Sequence, residues 1–220
     1  MTHTVKILEK QPLNHNVIRF VLEKPSGFTF NAGQAIELSL PDGEHAGEPA
    51  PFTLTGLATD VHLELMIKIY AERNGITAAL SRKRPAEKLV ISDAWDSYID
   101  KGPGVFLAGG AGVTPFVALL RQFKMNGNVG SSTLLFSNKT RADIFNESEF
   151  RSILGDRFIN ILTEKNEPGF PTALSEELLR SVAPDLSLPF YVCGPPGYID
   201  HVNGLLSSVG VTEGSVVISL

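Results

Sequence analysis

Cysteine is almost absent from this sequence, which contains only Cys193 in 220 residues. One thiol cannot form a disulfide within the chain, and an iron–sulfur cluster needs several cysteine ligands. The five histidines are scattered without the spacing typical of metal ligands, and no Ser-His-acid set is recognisable. The sequence therefore predicts no intrachain disulfide, no iron–sulfur cluster held by this chain alone and no metal site.

Long apolar runs and an excess of positive charge are also lacking. No uninterrupted apolar run approaches the ~20 residues that span a bilayer, and the start "MTHTVKILEKQPL" does not have the pattern of a signal peptide. The formal net charge is −5, and basic residues occur singly or in short groups such as "RKR" at 82–84. We therefore expect a cytoplasmic globular protein that binds neither membranes nor nucleic acids.

Residues 4 to 93 contain six short segments with the alternating or β-branched pattern of strands. These segments are "TVKILEK", "HNVIRFVLEK", "QAIELSL", "FTLTGLA", "VHLELMIKIY" and "EKLVISD". Turn sequences such as "PSG" and "PDGEHAGEP" separate them, and one helical stretch, "GITAALSRKR" at 75–84, interrupts the pattern. Six strands at this spacing predict an N-terminal six-stranded antiparallel β-barrel.

From residue 104 onward, apolar strands alternate with helical patterns. The predicted strands are "GVFLAG", "SSTLLFSN", "FINILTE" and "LPFYVCG"; the predicted helices are "TPFVALLRQFKMNG", "DIFNESEFRSI", "TALSEELLRSVAP", with Thr172 as its cap, and "YIDHVNGLLSSVG". This repetition predicts a C-terminal α/β domain with a doubly wound parallel sheet covered on both faces. The joint is "DSYIDKGPG" at 96–104, so the predicted domains are 1–100 and 101–220.

A glycine-rich loop, "AGGAGVTP" at 108–115, connects the first strand of this second domain to its first helix. In a parallel α/β sheet such a loop exposes backbone N–H groups at the positive end of a helix, where a pyrophosphate binds. Gly110 is predicted to permit the tight turn, and Gly112 to let a phosphate approach the backbone. Pro115 stands where a third glycine is usual, at a helix start that tolerates proline. A tight turn without a ligand is the alternative interpretation.

A second loop, "YVCGPPGYID" at 191–200, follows the last predicted strand and is expected at the same carboxyl edge of the sheet. The pair "GGAGVTPF" and "VCGPPGYI", behind a barrel, resembles the ferredoxin–NADP reductase family of flavoenzymes, particularly its compact flavodoxin-reductase-like members. "FNAGQAIELSL", "PFTLTG" and "GITAAL" resemble further segments of that family, in the same order along the chain. The resemblance spans nearly the whole sequence.

The resemblance implies that the barrel binds a flavin. Phe52 would flank the isoalloxazine ring, and the Thr53 hydroxyl would lie close to N5, where a hydrogen bond alters the redox potential. The start of the barrel helix would bind the flavin phosphates. The residues assigned to the flavin are Phe52, Thr53, Leu54, Thr55, Ile67, Lys68, Ile69, Tyr70, Gly75, Ile76 and Thr77. An ordinary half-buried strand and a plain threonine cap are the alternatives.

The resemblance implies equally that the second domain binds a nicotinamide dinucleotide. The residues assigned to it are Gly110, Ala111, Gly112, Val113, Thr114, Pro115, Asn138, Lys139, Cys193, Gly194, Pro195 and Pro196. Thr53 and Cys193 are the two catalytic assignments. Cys193 would line the nicotinamide pocket and would not act as a nucleophile, because no histidine pairs with it.

Two positions bear on the choice of cofactors. After the second parallel strand, "FSNKTRAD" places Lys139 and Arg141 ahead of Asp143, and a base there favours the 2′-phosphate of NADP(H) over NAD(H). A solvated basic loop is the alternative. The family's flavin motif begins with an arginine that neutralises phosphates, whereas "EPAPFTLT" has Ala50 at that position. The resemblance implies FAD; without the arginine, flavin binding as FMN, weak binding or no flavin binding are the alternatives. The candidates to replace the arginine are Lys68, Arg82 and Lys83.

The predicted function is that of a flavin-dependent NAD(P)H oxidoreductase similar to ferredoxin/flavodoxin–NAD(P) reductases. NADPH would reduce FAD by hydride transfer, and electrons would continue to an external acceptor: a flavodoxin, a ferredoxin, another protein or a small oxidant. Two alternatives remain open. One is a nucleotide-binding module of the same fold without flavin, and the other is an electron-transfer subunit of a larger complex.

Overall fold

The computed structural model describes residues 1–164 and 167–218. They form two compact units, Met1–Ser97 and Tyr98–Leu220. The predicted domain boundary, between residues 100 and 101, lies slightly later in the chain.

The first unit is an antiparallel barrel. Its strands are β1 (Thr2–Pro12), β2 (Val17–Glu23), β3 (Gln34–Ser39), β4 (Ala50–Thr53), β5 (His62–Lys68), β6 (Lys88–Ser92) and the short β7 (Trp95–Asp96), and its helix is α1 (Ile76–Arg82). The sheet order is β4-β3-β6-β1-β2-β5, with β7 paired to β3. The predicted six-stranded barrel is confirmed; β7 is an addition too short to show a strand period.

Apolar side chains from these strands fill the barrel interior. Leu22, Ile36 and Leu65, among others, are fully buried in one apolar cluster. Strands β1 and β6 bury alternate residues, whereas β2 and β5 bury consecutive ones. The first and last strands of the order approach each other just beyond β4, where the Thr55 amide donates to the Glu64 carbonyl at 2.9 Å. The sheet is therefore nearly closed, which leaves few unpaired edges.

The second unit is a parallel sheet with helices. Its elements are β8 (Val105–Gly109), α2 (Thr114–Met125), β9 (Thr133–Asn138), α3 (Glu147–Leu154), β10 (Phe158–Leu162), α4 (Glu176–Val182), β11 (Phe190–Cys193), α5 (Pro196–Val209) and β12 (Val216–Val217). The order is β10-β9-β8-β11-β12, and all four pairs are parallel. The predicted α/β sheet is confirmed, with β12 as an unpredicted fifth strand.

The strand order fixes where a ligand can bind. The chain runs outward from β8 to β9 and β10 and then returns to the other side of β8 as β11. The connections after β8 and β11 therefore diverge, which opens a crevice at the carboxyl ends of these two strands. Both glycine-rich loops begin at these ends.

Helix α4 corrects one prediction. It begins at Glu176, and its cap is Ser175, whose hydroxyl accepts a hydrogen bond from the Leu178 amide at 3.2 Å. Thr172, the predicted cap, lies four residues before the helix, in a bend. Serine accepts such a bond as readily as threonine, and Glu176 and Glu177 suit the positive end of the helix.

Within the residues that the structure describes, no helix combines the length and the apolar character that crossing a membrane requires.

Candidate functional site

The two glycine-rich loops of the second unit contact each other directly. A Cβ atom added to Gly112 would lie 2.3 Å from the Cys193 carbonyl oxygen and 2.7 Å from the Gly194 nitrogen. One added to Gly194 would lie 3.3 Å from the Gly109 Cα atom. The residues predicted from the two separate segments are therefore assembled at one place, the crevice between β8 and β11.

The structure shows why glycine is required at positions 110 and 112 of the first loop. Gly110 has φ of +54°, so the predicted need for a left-handed turn residue is met. Gly112 was expected to let a phosphate approach the backbone, but its Cβ direction is filled by the β11 loop. Its lack of a side chain is required by loop-to-loop packing. Pro115 occupies the first turn of α2, as predicted.

Tyr198, at the start of α5, packs its ring against this crevice. Cβ atoms added to Gly109 and Gly194 would lie 2.9 Å and 2.6 Å from ring atoms of Tyr198. Burial raises the pKa of Tyr198 to about 12, and the nearby Ser137 hydroxyl opposes this. No sequence motif predicts a role for Tyr198 or Ser137. Ser137 is revealed by the strand register that places it beside Gly109, and Tyr198 by its contacts with Gly109 and Gly194.

Cys193 ends β11 beside Ala108 of β8 and is the one cysteine of the chain. Burial raises the pKa of its thiol, although contacts with Tyr98 and the Gly194 backbone lower it in part. A thiol with a raised pKa carries little thiolate at neutral pH, which fits a lining role better than a nucleophilic one.

The loop after β9 carries the charges predicted to choose between NADP(H) and NAD(H). The Lys139 ammonium lies 2.7 Å from a Glu164 carboxylate oxygen, and this pairing raises the pKa of Lys139. The Arg141 guanidinium lies over the ring of Phe170, 5.3 Å from its centroid. Asp143 accepts hydrogen bonds from Thr140 in a capping box.

Asn138, the last residue of β9, is only 5% exposed. Its Nδ2 group is buried without a hydrogen-bond partner among the described residues. A buried donor without a partner costs free energy, so this amide is suited to a polar ligand at the sheet edge.

The residues of β4 and just after it that were assigned to the flavin fall into two groups, one buried and one partly exposed. Leu54 is fully buried in the barrel core, so only its backbone could contact a ligand. Thr55 is also fully buried and donates its hydroxyl to Glu64 at 2.8 Å. Phe52 and Thr53 are partly exposed, and the Thr53 hydroxyl makes no hydrogen bond within residues 1–164 and 167–218. These two side chains remain available to a cofactor.

The end of β5 and the start of α1 form the second part of the barrel site. The side chain of Ile67 lies in the core, whereas Lys68 and Tyr70 are partly exposed. The Thr77 hydroxyl accepts a hydrogen bond from the Tyr70 amide at 3.3 Å, which ties the strand end to the helix start. Gly75 is the N-cap of α1 and supplies no capping side chain, so the first amides of the helix are open to a ligand.

Of the cations suggested to replace the missing arginine, two are already engaged. Arg82 lies 3.8 Å from Glu44, and Lys83 lies 3.3 Å from Asp42 and also pairs with a second carboxylate. Lys68 makes no ion pair in the described part of the chain, and its ammonium lies 5.9 Å from the centroid of the Tyr70 ring. Lys68 is thus the candidate that the structure leaves available.

The residues present fit both cofactors in their donor chemistry. The second unit offers glycine-rich backbone at the start of α2 and the buried Asn138 amide, which has no partner among the described residues. The barrel offers an aromatic face, an uncommitted hydroxyl and free helix amides, but few unpaired cations for phosphates. Across residues 1–164 and 167–218, no cluster of three or more histidine, cysteine or acidic side chains could hold a metal ion.

The chain has a nearly closed antiparallel barrel followed by a parallel five-stranded sheet, whose two glycine loops meet at the strand-order reversal. These features define a two-domain ferredoxin–NADP reductase-like fold. Residues 106–204 match the family model of the oxidoreductase NAD-binding domain. The predicted resemblance to this group of flavoproteins is confirmed.

Curated proteins are similar in sequence to this chain along most of its length. It is 26% identical to the reductase component of propane 2-monooxygenase from Rhodococcus jostii (strain RHA1), covering 96% of this chain and 61% of that protein. It is 26% identical to NADH-cytochrome b5 reductase 2 from Mycosarcoma maydis, covering 89% of this chain and 62% of that protein. The chain thus spans about three fifths of the length of these curated relatives.

A solved structure of a ferredoxin NADP+ reductase from Neisseria gonorrhoeae, with bound FAD and NADP, superposes with a TM-score of 0.80. The sequence identity is 20%, and the match covers 95% of this chain and 92% of that one. At this identity the likeness establishes the fold.

Proposed function

We propose that this chain is an NAD(P)H-dependent flavin oxidoreductase that passes electrons to an external acceptor. The observation that carries the proposal is the direct contact between the Gly109–Gly112 loop and the Cys193–Gly194 loop at the carboxyl edge of the parallel sheet. Two distant segments meet there, at the strand-order reversal where open parallel sheets bind dinucleotides, which supports the proposal. The similarity to reductases and reductase components supports the same conclusion.

The second unit would hold the nicotinamide dinucleotide. The turn at Gly110–Val113 would place backbone N–H groups of the α2 start against the pyrophosphate. Cys193, Gly194, Pro195 and Pro196 would line the nicotinamide end of the crevice. Cys193 contributes shape there, since its raised pKa keeps the thiol neutral.

The barrel would hold the flavin, with FAD favoured and FMN as the alternative. Phe52 would cover part of the ring system, and the uncommitted Thr53 hydroxyl would hydrogen-bond N5. The open amides of Gly75, Ile76 and Thr77 would bind phosphate oxygens. A bound flavin accepts a hydride from a reduced nicotinamide and releases electrons one at a time, so the protein supplies position and polarity.

The finer proposal is that NADP(H) is preferred over NAD(H). Arg141 and Lys139 follow β9 at the position where a base favours a 2′-phosphate, and the one acid of that loop, Asp143, is engaged by Thr140. The acceptor class includes proteins such as an oxygenase component, a cytochrome, a flavodoxin or a ferredoxin, as well as small oxidants.

Flavin binding separates this proposal from its main alternative. Purified protein is expected to quench the fluorescence of added FAD on binding and to show the absorption bands of an oxidised flavoprotein. Protein that leaves FAD fluorescence unchanged, yet binds NADPH, would favour a nucleotide-binding module without flavin. Comparison of the specificity constants for NADPH and NADH then tests the finer proposal, and a preference for NADH would reject it.

A further inference from the structure

We propose that Glu164 is a specificity-determining residue. Its carboxylate weakens the preference of this chain for dinucleotides that carry a 2′-phosphate. This inference rests on the proposed function, because it concerns the nucleotide edge of the same parallel sheet. Glu164 lies in the connection after β10, whereas the basic residues that it influences, Lys139 and Arg141, lie in the connection after β9.

The backbone places Glu164 beside Lys139. Hydrogen bonds between β9 and β10 continue past both strand ends, since the Thr163 amide donates to Asn138 at 2.9 Å and the Glu164 amide donates to Lys139 at 3.0 Å. These bonds bring the carboxylate and the ammonium together at 2.7 Å. The Lys139–Glu164 ion pair therefore depends on the register between β9 and β10 as well as on the two opposite charges.

The other acid near Lys139, Asp143, accepts hydrogen bonds from Thr140, and two further groups at this edge are donors suited to an anion. Arg141 makes no ion pair with a carboxylate among the described residues, and it is held over the ring of Phe170. Asn138 contributes a buried amide donor that has no partner there. Two donors for a phosphate thus lie three residues apart, Asn138 at the end of β9 and Arg141 in the connection that follows, while the third, Lys139, is paired with Glu164.

The charge of Glu164 acts differently on the two kinds of dinucleotide. A 2′-phosphate carries about two negative charges near neutral pH, so a neighbouring carboxylate repels it and also competes with it for Lys139. A ribose 2′-hydroxyl carries no charge and is not repelled. Glu164 therefore selectively disfavours the phosphorylated nucleotide, and its removal strengthens the preference for NADP(H).

Calorimetric titration of the full chain with 2′,5′-ADP and with 5′-AMP tests this inference without relying on turnover. Glu164→Gln is expected to tighten 2′,5′-ADP binding roughly fivefold and to leave 5′-AMP binding unchanged. The matched control is Glu177→Gln, which removes the same charge from an exposed position on α4. The control is expected to leave both affinities as they are.

Each result has a definite meaning. Unchanged or weaker 2′,5′-ADP binding in Glu164→Gln would overturn the inference, as would an equal gain for both ligands. These two outcomes would leave the proposed function intact, because the wild-type protein would still bind the nucleotides. Failure of the wild-type chain to bind either ligand would contradict both the inference and the assignment of this edge to a nicotinamide dinucleotide.

Discussion

At the scale of single residues, the proposed flavin binding is expected to depend on charge at the start of β4. Ala50 is partly buried there, opposite Leu38 of β3. Arg82 and Lys83 are engaged by Glu44 and Asp42, so they are poor substitutes for an arginine at position 50. The barrel is therefore expected to hold flavin phosphates mainly through backbone amides, with help from Lys68.

Ala50→Arg is accordingly expected to tighten FAD binding by about tenfold, the size of one charge-assisted hydrogen bond. Fluorescence quenching of FAD measures the change, and riboflavin, which has no phosphate, is expected to bind as before. Ala50→Met supplies similar length without charge and serves as the control. An unchanged dissociation constant for FAD in Ala50→Arg would show that the phosphates bind elsewhere.

A second residue-scale feature is the carboxylate of Glu64, which closes the barrel seam. Glu64 is 9% exposed and accepts hydrogen bonds from Arg19 at 2.6 Å and from Thr55 at 2.8 Å. Glu9 also pairs with Arg19, at 3.2 Å, but its side chain is 55% exposed. Sequence patterns could not reveal this network, because its members come from different strands and meet only in the folded register.

Glu64→Ala is expected to lower the free energy of unfolding by about 2 kcal/mol, because it removes the acceptor of the buried Thr55 hydroxyl and the shorter of the two carboxylate contacts of Arg19. Glu9→Ala removes the exposed partner of the same arginine and is expected to cost about 0.5 kcal/mol or less. Urea unfolding of both variants measures the difference. Equal losses would mean that the buried Glu64 stabilises the seam no more than the exposed Glu9 does.

At the scale of elements, strands and helices with a clear period were predictable, whereas short or long-range features were not. The six barrel strands alternate in hydrophobicity, and α2 and α5 carry apolar residues at helical spacing. The two-residue strands β7 and β12 are too short for a period and exist because a neighbouring strand pairs with them. Lys139 and Glu164 likewise meet only because β9 and β10 are adjacent.

The contact between the two glycine loops gives an element-scale prediction. Gly112→Ala places a methyl group against the Cys193 carbonyl oxygen, so the loops must separate, at a cost of about 2–3 kcal/mol. Gly204→Ala changes an exposed glycine within α5 that has no atom within 4 Å of its Cβ position. That control is expected to stabilise the protein by up to about 1 kcal/mol.

Thermal unfolding compares the stabilities of the Gly112→Ala and Gly204→Ala proteins. Titration with NADPH then shows whether contact between the two glycine loops is needed for nucleotide binding. Gly112→Ala is expected to bind NADPH more weakly under conditions where it remains folded. A Gly112→Ala protein as stable as Gly204→Ala, with normal NADPH binding, would argue against a crevice built by this contact.

At the scale of the whole molecule, stability should depend on pH above the ordinary pKa of tyrosine. Burial raises the pKa of Tyr191 to about 12, and its hydroxyl bonds both the Lys101 amide and the Gly102 carbonyl at 2.8 Å. A pKa raised in the folded state contributes stability that is complete below pH 10. That contribution is lost as the pH rises from 10 through 12.

Urea unfolding at pH 9 and at pH 11.5 is therefore expected to show a loss of stability in the wild type that is smaller in Tyr191→Phe. The phenylalanine variant is less stable at pH 9, by about 1–2 kcal/mol, because two hydrogen bonds are missing. An identical loss in both proteins over this range would show that ionisation of Tyr191 is not coupled to unfolding.

The central claim for the whole chain is that one polypeptide binds a reduced nicotinamide and a flavin and transfers a hydride between them. Anaerobic stopped-flow mixing of the FAD-loaded protein with NADPH tests it most directly. The account predicts rapid loss of the absorption band of oxidised flavin, slowed when the transferred hydrogen of NADPH is replaced by deuterium. Flavin that binds to the protein and stays oxidised in the presence of excess NADPH and NADH would contradict it.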